Sequence, residues 1–111
     1  MENQQSISEW AEETFGPVST NARVAARANE EMAELLRALS CEDSSPEAPS
    51  EIADIFIVLY RLAQRMHTDI HAEIDRKMSI NRKRAWNKDG SGHGYHVRDK
   101  WTDETIGAVD L

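Results

Sequence analysis

Between positions 50 and 66 the chain carries Ile52, Ala53, Ile55, Phe56, Ile57, Val58, Leu59 and Tyr60, and wound as a helix this stretch keeps almost no polar side. Such a helix must be covered all round. A chain of 111 residues has the size of one domain and few other elements with which to cover it. A second copy of the chain is therefore expected against it, as a homodimer or homotetramer. The unbroken apolar run, from 55 to 60, is bracketed by Asp54 and Arg61 and falls far short of the roughly 20 residues that cross a bilayer. No membrane segment is expected.

Only five Gly and three Pro punctuate the sequence, and the stretches between them carry helical spacing. The expected fold is all-α, a four-helix-type bundle in one domain over 1–111, with its core at about 20–86. A short accessory helix at about 6–14 runs through Ile7, Trp10 and Ala11 and stops before Gly16-Pro17. A second begins near 19–21 and reaches about Ser40, with Val24, Ala28, Met32, Leu35, Leu36 and Leu39 at intervals that make one stripe. After a loop at 41–50, the apolar helix runs from 47 or 50 to 66. A fourth starts at Thr68 or Asp69 and continues through Ile70, Ile74 and Met78 to about Trp86. Residues 87–111, with Gly90, Gly92 and Gly94, read as an irregular Gly-rich tail. Cys41 is alone, so no intramolecular disulfide forms, and at a helix end it reads as a small apolar filler. The N-terminus lacks the basic flank and apolar stretch of a signal peptide, so the cytoplasm is the expected location.

Charge narrows the partners. Thirteen Lys and Arg against twenty Asp and Glu leave a net charge of −7, which argues against a protein that coats nucleic acid or anionic membrane. The acids are not spread evenly. Glu30, Glu31 and Glu34 lie within five residues of the second helix, and at about 100° per residue Glu31 falls at the edge of the apolar stripe. On the third helix Glu51 and Asp54 repeat the i, i+3 spacing, and Asp54 runs straight into the apolar segment, so it is expected to be buried. A buried carboxylate costs several kcal/mol unless a cation or donors compensate, and no Lys or Arg lies within a turn of Asp54 on its own helix. Two such pairs on facing helices would make a four-carboxylate cluster that needs a bound metal, and hard oxygen ligands favour Mg²⁺ or Mn²⁺ over Zn²⁺. The alternative is Asp54 as a helix-start residue paired to Arg61 or to a distant base.

On the fourth helix Lys77, Asn81 and Arg84 stand at i, i+4 and i+7, a polar stripe suited to phosphate oxygens; its alternative is ordinary solvation, with Glu73 pairing to Lys77. Eight of the thirteen basic residues fall within 76–100, opposed only by Asp89 and Asp99. An acid cluster beside a basic stripe suits an anionic substrate that brings its own metals, such as a nucleoside triphosphate. Other candidates carry less. His67 and His71 have zinc-pair spacing but no third ligand. His93 and His96 sit in the tail, Tyr95 or Trp86 could stack on a base, and the glycines lack the GxxxxGK[ST] pattern of a phosphate-cradling loop.

These residues resemble the MazG-like all-α nucleoside triphosphate pyrophosphohydrolases. The family pattern EExxE, a spacer and ExxD is matched by Glu30, Glu31 and Glu34, sixteen intervening residues, and Glu51 and Asp54. Lys77, Asn81 and Arg84 resemble its K-x-x-x-N-x-x-R segment, and together the motifs span residues 29–86. The resemblance implies a small single-domain member that hydrolyses a (d)NTP at the α-phosphorus to a nucleoside monophosphate and pyrophosphate, as nucleotide-pool housekeeping. It makes Glu31, Glu34, Glu51 and Asp54 the metal ligands, with Glu30 behind them or orienting the attacking water. Lys77, Asn81 and Arg84 would bind the triphosphate, and Mg²⁺, or Mn²⁺ in its place, would be the cofactor. It also implies a helical bundle assembled as dimers or tetramers. Two other readings compete: a non-catalytic helical oligomer that binds nucleotide or a protein partner, and a nucleic-acid-binding dimer, which the acidic helices oppose. Base and sugar preference are not legible from residue types.

Overall fold

The computed structural model describes residues 1–97. Residues 98–111, with Arg98, Asp99 and Lys100 of the basic stretch and the end of the expected tail, lie outside them. Four helices follow one another, α1 (Gln4–Phe15), α2 (Asn21–Cys41), α3 (Ala48–Arg65) and α4 (Ile70–Lys83), and then two short strands, β1 (Trp86–Lys88) and β2 (Gly94–His96). The fold is all-α with an added hairpin. The chain divides into two compact units, Met1–Glu73 and a second from Ile74 onward.

In the first unit α3 packs against both α1 and α2. α1, α2 and α4 start where a side chain satisfies free N–H groups, whereas α3 has no side-chain cap. The Asn3 side chain accepts from the Ser6 N–H, and the Ser6 hydroxyl accepts from the Asn3 N–H, a reciprocal cap on α1. Thr20 caps α2 through the Arg23 N–H, Pro49 occupies the first turn of α3, and Asp69 accepts from the N–H groups of His71 and Ala72 at the head of α4. Gly16, at φ 79°, ends α1 in a conformation that favours glycine.

α1 is not the accessory element expected from its length. Its Ser8 and Ala11 are buried, and Gln4 ties it to the turn between α3 and α4 by donating to the Thr68 carbonyl at 2.6 Å and accepting from the Ile70 N–H at 3.0 Å. The apolar core is small: Ala11, Val24, Ala48, Ile55 and Ala63. Ile52, Phe56 and Leu59, spaced four and three apart on α3, remain exposed in the single chain. Among the described residues no helix is long and apolar enough to cross a membrane.

In the second unit α4 stops at Lys83, short of the expected Trp86, because Trp86 opens a strand and its indole N–H donates to the Asn81 carbonyl at 2.9 Å. The glycine-rich stretch is not irregular throughout. β1 and β2 pair antiparallel, with Trp86 opposite His96 and Lys88 opposite Gly94, and the Asp89 carboxylate accepts from the Ser91 N–H and hydroxyl in the connecting turn. Those two donors hold the Asp89 carboxyl below its ordinary range. Gly90 and Gly92, at φ 87° and 91°, supply backbone conformations that side chains rarely adopt.

Candidate metal centre

Packing α2 on α3 brings their acids face to face. Carboxylate oxygens of Glu31, Glu51 and Asp54 lie within 4.8 Å of one another. Glu34, one turn after Glu31, is near enough that its charge acts on both Glu31 and Glu51. Three of the four expected ligands thus converge, and Glu34 adjoins them without belonging to that group. Burial is the main cause that pushes the Glu31 carboxyl above its ordinary range; Arg27 opposes it, and Glu34 and Asp54 add to it. Glu51 is raised too, first by desolvation and then by Glu34 and Asp54.

The burial is not shared as the sequence suggested. Glu31 is the buried acid, at 6% exposure, whereas Asp54 is exposed. The reason is a cleft: α1 and α2 leave the middle of α3 partly open, and Asp54 sits on the wall of the gap. Nor does Arg61 pair with Asp54. Its guanidinium turns to α1, with Nε 3.2 Å from Glu12 and Nη2 donating to the Gly16 carbonyl at 2.8 Å. Arg65 reinforces that junction, 3.6 Å from Glu12 and donating to Asn21 and to the Val18 carbonyl.

Does the acid cluster fit a metal ion? Glu31 Oε2 and Glu51 Oε2 are buried and have no donor. Buried polar atoms are rarely left in that state, and carboxylates crowded together repel unless a proton or cation lies between them. The donor set is all oxygen, with neither His nor Cys, as Mg²⁺ or Mn²⁺ prefers. The residues fit a hard divalent cation.

The cation already present is a guanidinium. Arg27, one turn before Glu31, sits 2.6 Å from Glu31 Oε1 and 2.6 Å from Glu30 Oε2. Glu30 is exposed and stands apart from the three clustered acids. The cleft beside the cluster has a volume of about 520 Å³ and is lined by Trp10, Phe15, Val24, Ile57 and Val58 among others, with Glu31 and Asp54 on the same wall. Trp10 and Phe15 meet edge to face at 5.3 Å. Sequence spacing alone did not single out this apolar chamber, since α1 contributes to it from far along the chain. The i, i+4 relation of Arg27 to Glu31 was in principle readable.

Of the basic stripe, Lys77 is exposed, Asn81 and Arg84 are half-buried, and Arg84 Nη1 lies 3.5 Å from Asn81 Oδ1. All three belong to the second unit. His71 Nε2 lies 2.8 Å from the Tyr60 hydroxyl, a pairing that accounts for it without a metal. Cys41 is exposed, so it fills no core position.

A MazG-like family model matches residues 27–102. A dATP/dGTP diphosphohydrolase from Salmonella phage PMBT28 is 34% identical over 96 residues, which make up 86% of this chain and 31% of that protein. The chain thus spans about a third of the length of the curated relative it matches. Among solved structures, a MazG-like pyrophosphohydrolase of cyanophage S-2L, bound to dGDP and three catalytic Mn²⁺ ions per active site, matches with a TM-score of 0.69 at 28% identity. That match covers 86% of this chain and 93% of the cyanophage chain.

Proposed function

This chain belongs to the MazG-like family, and on that premise we propose that it is a divalent-metal-dependent nucleoside triphosphate pyrophosphohydrolase, converting a deoxynucleoside triphosphate and water to the monophosphate and pyrophosphate. One observation carries the reading: Glu31, Glu51 and Asp54 converge with two donorless buried oxygens beside an apolar cleft. Glu31, Glu34, Glu51 and Asp54 are the ligands. When bound, Mg²⁺, or Mn²⁺ in its place, supplies Lewis-acid polarisation of phosphoryl oxygens and a lowered pKa for coordinated water.

The chain's own residues do the rest. Glu30, exposed and paired to Arg27 next to Glu31, accepts or steers a proton from the attacking water. The cleft takes the nucleoside, with Trp10 and Phe15 offering flat apolar surface to a base and excluding water from it. Purine deoxynucleotides are the substrates we favour, since both relatives carry such nucleotides in their names. Lys77 and Arg84 offset charge on the triphosphate and on the departing pyrophosphate, and Asn81 gives a directional hydrogen bond. The exposed Ile52, Phe56 and Leu59 on α3 support a homo-oligomer.

The test is to incubate the purified protein with a panel of (d)NTPs, with Mg²⁺, Mn²⁺ or EDTA, and to identify products by chromatography. Monophosphate plus pyrophosphate, abolished by EDTA and by Glu34→Ala, is the expected result. Diphosphate plus orthophosphate would move the attack to the γ-phosphorus, and no product from any nucleotide would return the chain to a binding role.

A further inference from the structure

Arg27 occupies an unusual position for a helix-surface residue. It lies 2.6 Å from Oε1 of Glu31, the most buried acid of the cluster, while the other oxygen of that carboxylate has no donor. Its own side chain is 55% exposed, so the contact is held by charge and not by packing. It also lines the apolar cleft, on the wall that carries Glu31 and Asp54. The guanidinium is thus placed between the acid cluster and the space beside it. Without a metal, this cation, tethered one turn away, offsets part of the cost of burying Glu31.

We propose that Arg27 is the resident counter-ion of the metal-free protein, giving up Glu31 to an incoming divalent cation and turning its guanidinium to a phosphate group of the nucleotide in the cleft. This rests on the metal centre proposed above. A fixed structural ion pair would hold Glu31 Oε1 permanently and leave only Oε2 for a metal ion. An exposed, long-stemmed Arg avoids that problem because it is displaced at little packing cost, and planar guanidinium matches phosphate as well as carboxylate. The exchange couples the two binding steps: metal uptake frees the phosphate ligand.

The probe is Mn²⁺ titrated into the full-length metal-free protein, read by loss of the free-ion electron paramagnetic resonance signal, for wild type, Arg27→Met and Arg27→Lys. Binding of a non-hydrolysable α,β-methylene deoxynucleoside triphosphate to each Mn²⁺-loaded protein is then measured by calorimetry. Arg27→Met should bind Mn²⁺ about tenfold more tightly and the nucleotide about tenfold more weakly, changes the size of one charge-assisted hydrogen bond. Arg27→Lys, which retains a cation at the same spacing, should restore most of both. The metal-free Arg27→Met protein should melt lower than wild type yet gain more on adding Mn²⁺, because Glu31 has lost the cation beside it. Unchanged or weaker Mn²⁺ binding would make Arg27 a fixed support for Glu31 and overturn the exchange; tighter Mn²⁺ binding with unaltered nucleotide binding would overturn the hand-over to phosphate. Failure of wild type to bind Mn²⁺ at all would instead refute the metal centre, so the two ideas fail separately.

Discussion

Two clusters of charge lie within the first unit, both partly buried, and they differ in whether their electrostatics are closed. At the α1–α3 junction Glu12 meets Arg61 and Arg65, and further guanidinium donors go to Asn21 and to the carbonyls of Gly16 and Val18. Cations outnumber acids there, and backbone oxygens absorb the difference. At the α2–α3 face the balance is reversed: one exposed guanidinium meets Glu31, and two buried oxygens have no donor. A closed network holds helices together. An open one holds a place for something that is not part of the chain, and it costs stability until that place is filled.

The strongest way to break this contrast is to remove an acid from each cluster. Asp54→Asn should lower pyrophosphohydrolase turnover by about a hundredfold or more, on the scale of losing one electrostatic contributor in a catalytic site. It should weaken Mn²⁺ binding in calorimetry and leave the metal-free urea midpoint equal to or above that of wild type. Arg61→Met should do the opposite. It leaves Glu12 and the Gly16 carbonyl short of a partner, and should cost about 2–3 kcal/mol in urea denaturation, less than a fully buried pair because the Glu12 side chain is 37% exposed. Mn²⁺ affinity, measured under folding conditions, should change little.

The two clusters should also carry opposite pH dependences. Hydrogen bonding and charge from Arg61, followed by Arg65, hold Glu12 below its ordinary value of 4.5, so its contribution is complete above that pH and disappears as pH falls through the lowered value. Glu12→Gln should therefore be less stable than wild type at neutral pH, with the gap closing in acid. Glu31 and Glu51 are raised, so in the folded state they hold protons that the unfolded chain has already released. Metal-free stability should fall as pH rises from the ordinary carboxylate range through their raised values, and stabilisation by Mg²⁺ should grow over the same interval. Thermal melts with and without Mg²⁺ across that range would show it. The smallest effect expected is a control: Tyr60→Phe removes the hydrogen bond to His71 and should cost about 1 kcal/mol with no effect on Mn²⁺ binding.

The acid cluster was legible because a helix fixes the spacing of its own side chains. ExxE and ExxD place each pair on one face, and the position of Glu31 at the edge of the apolar stripe matches its burial. Asp54 was not legible in the same way: its exposure depends on how closely α1 covers α3. That in turn hangs on Arg61 meeting Glu12 across 49 positions, which helical periodicity cannot report. The hairpin escaped for a different reason. Strands of three residues are too short to show alternation, and the glycines that make its turn also look like a loose tail.

The central claim is that the open cluster is a metal centre, and Mn²⁺ anomalous diffraction from crystals of the metal-loaded protein tests it most directly. The account predicts anomalous density among the carboxylates of Glu31, Glu34, Glu51 and Asp54, with Arg27 drawn away from Glu31. Density found only elsewhere, or a cluster left empty at saturating Mn²⁺ with Arg27 still on Glu31, would contradict it.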